Sequence, residues 1–373
     1  MLEISRSQAL AYRAHVQGLD RRTDSMDELS VLDLGIQAPS GSAVAAALGA
    51  RLNQVPDPEG DAPWGVDHLT VWSFRGAPHL HRRADLPGLA TALWPVGERD
   101  AWTRLTSERK ALGEAGIAGL DAFTAVAEAE REATAAGPIG RGDLSGQVTR
   151  SLPAAYRYFC RVCGTEHVYG NVFQLVGIFA GFSLVPGTTP AVVTPIENRW
   201  PVPEHAEGTA EVVTAYLRLH GPATLAEAAG FLGTSATALR EVWPEDTVPV
   251  RVDTEGRKRW LPTASEALLS EVEVPRPGTL RLLPPLDPWL QGRDREFLVP
   301  STEHRKAVWR MLGNPGVAWL DGEVVGTWRA KTTARRLDLT VTAFQELPRD
   351  ALRDEAERLA SARGREELRV TLA

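Results

Sequence analysis

The chain has 373 residues, 43% of them hydrophobic and 24% charged, which places it among ordinary globular proteins of two or three domains. A formal net charge of -7 excludes coating of nucleic acid by bulk electrostatics, yet it leaves room for a local basic groove. No apolar run is long enough to span a bilayer, the opening MLEISRSQAL lacks the apolar core of a signal peptide, and two cysteines three residues apart cannot staple distant segments. The expectation is a cytoplasmic protein without a membrane partner.

Taken in order, Ile4 to Gly18 reads as a first helix with Ala9, Leu10, Tyr12, Ala14 and Val16 on its apolar positions, and Met26 to Asp33 as a second. Gly35-Ile36-Gln37-Ala38-Pro39 breaks the pattern before an Ala-rich helix starting near Ser42. Beyond a Pro/Gly/Asp-rich loop (Val55 to Gly65), LTVWSFRGAPHLHRRADLP is a strand pair turning at Gly76-Ala77-Pro78. Helices, then a hairpin, are the order of a winged helix. From Phe74 to Arg83 that wing carries Arg75, His79, His81, Arg82 and Arg83 and no acidic residue.

The plan repeats. Ala122 to Ala136 is helical, and AGPIGRGDLSG after it aligns without a gap with HGPATLAEAAG, so that 84 residues separate Gly137 from Gly221. Val168 to Ala180 supplies the third helix of this second unit, and Phe182 to Ile196 its wing. The third unit is the clearest. Apolar positions Val212, Val213, Tyr216, Leu217 and Leu219 keep helical spacing until Gly221-Pro222, a short helix follows from Leu225, and Ser235 to Trp243 makes another. Then Val248, Val250 and Val252 alternate into a turn at Asp253 to Gly256. In the tail, Leu280 to Leu283, Val317 to Leu320, Val324 to Trp328 and Leu337 to Phe344 are strand-like, Asp321-Gly322 is a hairpin turn, and a charged helix from Arg349 to Arg363 closes the chain.

The expected fold is therefore α+β: three tandem winged helix-turn-helix domains followed by a C-terminal antiparallel sheet or small barrel. The boundaries fall at 1–98, 99–204, 205–270 and 271–373.

Base edges in the major groove must be met by polar and basic side chains. VYGNVFQLVGIFA has no charged residue, and Ser235 to Trp243 offers Arg240 beside Glu241. Two of the three winged helices thus read as scaffold, and sequence-specific reading is not expected. Positive charge collects instead on the first wing and in WRAKTTARR, where Arg329, Lys331, Arg335 and Arg336 stand without an acidic neighbour; Arg257, Lys258 and Arg259 add to it on the last wing. Phosphate contacts are the role such runs can fill, a solvated face the bland alternative.

At Gln37 the chain resembles the tandem winged-helix DNA glycosylases of the AlkZ and YcaQ type, which remove alkylated bases and unhook certain crosslinks. The resemblance is carried by LGIQAPSGSAVAAALGARL, WSFRGAPHLH, CRVCGTEHVYGNVFQLVGIFAG, RLLPPLDPWLQGRDRE and DGEVVGTWR. In that family a Gln, a hydrophobic residue and then Gln or Asp form the catalytic motif. It implies Gln37 as the catalytic residue, with Ala38 at the middle position, while Pro39 departs from the pattern at the second catalytic one. It further implies a groove-clamping hairpin, with Arg75 and His79 matching RGxxH, and damaged double-stranded DNA as partner, placing the protein at the nucleoid. A non-catalytic DNA-binding or regulatory member that has lost the second residue is the alternative. A regulator whose apolar central repeat lines a small-molecule pocket is a third reading.

No Walker A motif, dinucleotide fingerprint or HExxH is present, so no cofactor is expected. Cys160, Cys163 and His167 supply three candidate ligands, sharing one face if the segment is helical, and no fourth lies nearby; structural zinc sites use four, so no metal is expected. Asp287, before a proline, reads as a turn cap. The oligomeric state is open, with a monomer as the default.

Overall fold

The computed structural model describes residues 2–55, 64–253 and 256–373. Residues 56–63 of the expected Pro/Gly/Asp-rich loop and residues 254–255 of the expected last wing turn lie outside the described residues. The chain divides into two compact units, one of residues 1–63, 214–227 and 245–373, the other of residues 64–213 and 228–244.

The first unit is built on a five-stranded sheet of Leu280–Leu283, Gly316–Leu320, Glu323–Thr332, Arg336–Ala343 and Glu367–Leu372, in that order. Its first four strands are antiparallel, as expected. The fifth was not foreseen. The helix Arg349–Ser361 is a crossover rather than the end of the chain, so Glu367–Leu372 returns parallel to Arg336–Ala343. That helix lays Leu352, Ala356, Leu359 and Ala360 on Leu282, Val325, Leu339 and Val341 of the sheet. The turn at Asp321-Gly322 has positive φ at both residues, and the Asp321 carboxylate accepts from the backbone of Gly278 (3.0 Å) and Thr279 (2.7 Å). Gly316 is obligatory, since a Cβ there would lie 2.2 Å from the Trp328 indole.

The first helix, Arg6–Val16, is capped by Ser5 and buries Ala9, Leu10, Tyr12 and Ala14. Where a helix was expected over Met26 to Asp33 there are two short 3-10 turns, Met26–Glu28 and Ser30–Asp33, because Leu29 between them is extended (φ -77°, ψ 108°). The last wing, Thr247–Val252 with Lys258–Pro262, gains a third strand, since Leu2–Ile4 runs parallel to Thr247–Val252.

The second unit holds the central winged helix: Gly119–Ala133, Arg141–Ser151, then Gly170–Leu175 and Gly177–Ala180, with a wing of Phe182–Leu184 and Val192–Pro195. The repeat is visible in the backbone. Ile139, just after Gly137-Pro138, pairs with Val193 of its wing, and Ala223, just after Gly221-Pro222, bridges to Trp260 of the other. The uncharged third helix is buried through Val172, Phe173, Ile178, Phe179 and Ala180, as its composition requires. Trp94 packs edge-on against Phe179 at 4.9 Å.

Between its second and third helices this unit carries a hairpin, Arg157–Cys160 with Thr165–Val168. Cys160 and His167 therefore sit on paired strands, which corrects the shared helical face considered for these residues.

Glu130 is fully buried on the helix Gly119–Ala133, and neither carboxyl oxygen has a partner among the described residues. Burial raises its pKa well above 4.5, so it folds protonated. The unfolded chain releases that proton above its own pKa, so this residue removes stability as pH rises from about 5 towards 8. Glu130→Met is expected to raise the unfolding free energy by about 1–3 kcal/mol at neutral pH. Urea titrations should show the gain growing between those two pH values.

Candidate active-site loop and nucleic-acid interface

Gln37 ends the two-residue strand Ile36–Gln37, between a buried anchor and a helix cap. Ile36 and Leu34 are buried, Gly35 takes φ 74° to turn the chain, and Ser40 caps Gly41–Gly49 by accepting from Ala43 at 3.3 Å. With the cap supplied by Ser40, Gln37 has no such duty. Its side chain is half-buried and makes no hydrogen bond among the described residues. A fixed backbone thus presents an uncommitted carboxamide, which can donate and accept at once. Pro39 is exposed and offers no side-chain donor or acceptor.

The hairpin of the first wing pairs His68–Trp72 with Pro78–Arg82 and turns through Phe74–Gly76. Arg75 holds φ 56° at the turn, donates through Nη1 to the Phe231 carbonyl, and sets its guanidinium 5.1 Å over the Phe231 ring. Gly76 beside it has φ 69° and leaves 2.8 Å between its Cβ position and Gln174 Cβ. Ser73 Oγ lies 3.1 Å from His79 Nδ1 and 2.9 Å from His81 Nε2, and both imidazoles are buried. Arg82 and Arg83 lie nearer solvent, the first 3.2 Å from Asp85, the second 3.9 Å from Glu197.

Burial first, then His81 and Arg75, holds His79 well below the usual histidine range, so it folds neutral. In the first unit, burial and then Arg13 lower His220 to about 3. Unfolded histidines take up a proton near pH 6.5, so both groups stabilise the fold fully above that pH, and the stability drains as pH falls below it. Unfolding free energy is expected to drop by about 1.4 kcal/mol per pH unit and per histidine below about pH 6. Denaturant midpoints for the native chain and His79→Gln at two pH values measure the difference in slope.

On the five-stranded sheet, alternation puts Trp328, Leu337, Leu339 and Val341 inside and the intervening residues out. The outer face, with the helix Thr302–Val308, lines a groove of about 810 Å³. Arg329 and Lys331 lie in it, joined by Lys306, Arg310 and Arg369, and four threonines supply hydroxyls. Arg329 donates to the Gly313 carbonyl at 2.6 Å. Lys306, Arg310, Lys331 and Arg369 have no carboxylate partner among the described residues. The groove's one acid, Asp338, bonds Arg336 at 3.0 Å.

Arg335 and Arg336 lie outside that lining. Glu366 and Glu367 stand 3.5 and 3.8 Å from Arg335, so the run that is free of acids along the sequence is answered by acids across the sheet. Of the last wing's cations, Arg259 is buried, bonding the Pro222 carbonyl at 3.1 Å and Glu227 at 2.8 Å, and Lys258 lies 4.1 Å over the Trp260 ring. Sequence reading missed Lys306, Arg310 and Arg369. The signal was weak, since Lys306 comes from the helix Thr302–Val308, Arg310 from the segment after it and Arg369 from the strand Glu367–Leu372, and only the fold gathers them.

Repeated helix pairs, each followed by a strand pair, define a tandem winged-helix protein with a C-terminal β domain. Residues 34–362 match the family described as "DNA glycosylase AlkZ-like". The chain is 34% identical over 184 residues to an interstrand DNA cross-link repair glycosylase of Streptomyces sahachiroi, a match spanning 46% of this chain and 47% of that protein. The solved structure of the Streptomyces sahachiroi DNA glycosylase AlkZ superposes with a TM-score of 0.77 at 23% identity and covers the whole of both chains, which shows the shared fold. The chain belongs to the AlkZ-like DNA glycosylase family. None of its described helices is long and apolar enough to cross a membrane.

Proposed function

We propose that the chain binds damaged double-stranded DNA and hydrolyses the N-glycosidic bond of alkylated or bulky-adduct bases, with Gln37 as the catalytic residue. The observation that carries this is the uncommitted Gln37 carboxamide on an anchored segment. A base alkylated on a ring nitrogen is already cationic and departs with the bonding electron pair. What remains is to hold a water below the sugar and to stabilise the charge developing on it. Gln37 does the first by accepting from the water and donating to the sugar-phosphate side. It cannot take the proton, which passes to solvent after attack.

The basic groove serves the phosphate backbone, with Arg329 and Lys331 and the added Lys306, Arg310 and Arg369 neutralising phosphates irrespective of sequence. On the first wing, Arg82 and Arg83 are the outward cations, while Arg75 and His79 shape the turn that presents them. Lys331→Glu is expected to weaken duplex binding uniformly across sequences, about tenfold at low salt, and to lower the salt slope by about one. Fluorescence anisotropy at several salt concentrations measures both quantities.

A second reading rests on Pro39, which places no side-chain partner beside Gln37. Under it the chain binds DNA without cutting the glycosidic bond. Incubation with a duplex carrying N7-alkylguanine or N3-alkyladenine distinguishes the two: free base released with multiple turnover supports the glycosylase, and tight binding without release supports the non-catalytic reading.

A further inference from the structure

Three candidate metal ligands meet on the exposed hairpin of the central winged helix. Strand pairing sets Tyr158 opposite His167 and Cys160 opposite Thr165, so Cys160 and His167 are diagonal neighbours on one face. The turn closes through Gly164, whose φ is 66° and whose N–H donates to the Cys160 carbonyl at 2.9 Å. This tight C-x-x-C-G turn swings Cys163 back over the same face. The Cys160 and Cys163 sulfurs and a ring nitrogen of His167 all lie within 4.8 Å of one another. Ligand atoms around tetrahedral zinc are separated by about 3.5–3.8 Å, given Zn–S near 2.3 Å and Zn–N near 2.1 Å. A contraction of about 1 Å closes the set.

The hairpin is anchored at its base, where Val168 is buried and donates its N–H to Thr149 Oγ1 at 2.8 Å, but its turn end is open to solvent, with Val162 96% exposed and Phe159 62%. Two strands alone are marginal in water, and a metal that ties the turn to the return strand supplies what packing does not.

We propose that Cys160, Cys163 and His167 bind one zinc ion. Both thiols ligate as thiolates, releasing their protons to solvent, and the neutral imidazole supplies the third bond. Glu166 points to the opposite face and bonds Arg157 at 3.1 Å, so water takes the fourth position. The ion staples the hairpin in place and takes no part in base release.

The test uses the full chain without a histidine tag, kept reduced, stripped with chelator and titrated with Co²⁺. One equivalent is expected to bind, with thiolate-to-cobalt charge-transfer absorption in the near ultraviolet that Zn²⁺ abolishes. Cys160→Ser and Cys163→Ser are each expected to weaken Co²⁺ binding at least tenfold, with circular dichroism confirming the fold. His167→Ala is expected to keep the charge-transfer band and shift the visible d–d bands. Absence of the band while both thiols titrate as reduced overturns the proposal, and so does a band that survives the Cys160→Ser/Cys163→Ser double variant.

Discussion

Asp287→Ala is expected to lower the unfolding free energy by about 3–5 kcal/mol, the largest single loss of stability at any position considered. Asp287 and Arg51 are both fully buried. Arg51 Nη2 reaches Oδ1 at 2.7 Å and Nη1 reaches Oδ2 at 2.9 Å, while Nε and Nη1 also donate to the carbonyls of Gln17 and Ala47, each at 2.9 Å. Asp287 Oδ1 further accepts from Trp289 N at 2.9 Å. The turn cap expected from the sequence is therefore present, and the same carboxylate also answers a buried guanidinium. Removing it leaves a charge in the interior without a counter-ion, which costs more than the lost hydrogen bonds. Replacing both, Arg51→Met with Asp287→Leu, should recover most of the loss. The exposed pair Arg353–Glu357, 77% and 55% accessible, is the control, and breaking it should change the urea midpoint little.

A second buried cluster explains the end of the same family stretch in the same terms. In QGRDRE, Asp294 bonds Arg13 at 2.6 Å and lies 3.8 Å from Arg259. Burial alone would raise its carboxyl, but Arg13 and Arg259 outweigh that and hold it below the usual range. Arg13 and Arg259 also stack over Phe297, at 4.8 and 5.0 Å. Both aspartates of RLLPPLDPWLQGRDRE thus answer buried arginines within the first unit, Asp287 pairing with Arg51 and Asp294 with Arg13 of the first helix and Arg259 of the last wing.

Much of this fold was legible because local periods change where the structure changes. Val248, Val250 and Val252 alternate on a real wing strand, and the 84-residue offset links two Gly-Pro pairs that each precede a residue paired to a wing strand. What failed was long-range or depended on a turn. Nothing near Leu2–Ile4 announces that it will pair with Thr247–Val252. Cys160 to His167 fits a helical spacing as well as it fits a hairpin, and only Gly164 in the left-handed region decides for the hairpin. Gln37 was singled out by its resemblance to the family motif, and its catalytic role is the proposal made above. The groove was half legible: Arg329 and Lys331 alternate onto one face, but Lys306, Arg310 and Arg369 reach it from other elements, and the acids that answer Arg335 arrive on an unforeseen strand.

Gln37→Ala is expected to reduce base release by at least about 100-fold while leaving duplex affinity and stability within about twofold of native. The carboxamide makes no hydrogen bond among the described residues, so its removal orphans no protein group. The segment keeps its fold through Ile36 and the Ser40 cap. Pro39→Asp should act in the opposite direction. Pro39 is exposed and its missing N–H serves no strand, so the substitution adds a carboxylate that can accept the water's proton and raises the rate.

The most direct measurement is single-turnover release of N7-alkylguanine or N3-alkyladenine from a duplex, with enzyme in excess, for the native chain and Gln37→Ala at equal concentration. Release by the native chain that is lost in Gln37→Ala, with anisotropy showing equal binding, is the predicted result. Equal release from both proteins, or none from either with binding intact, would contradict a glycosylase whose water is held by Gln37.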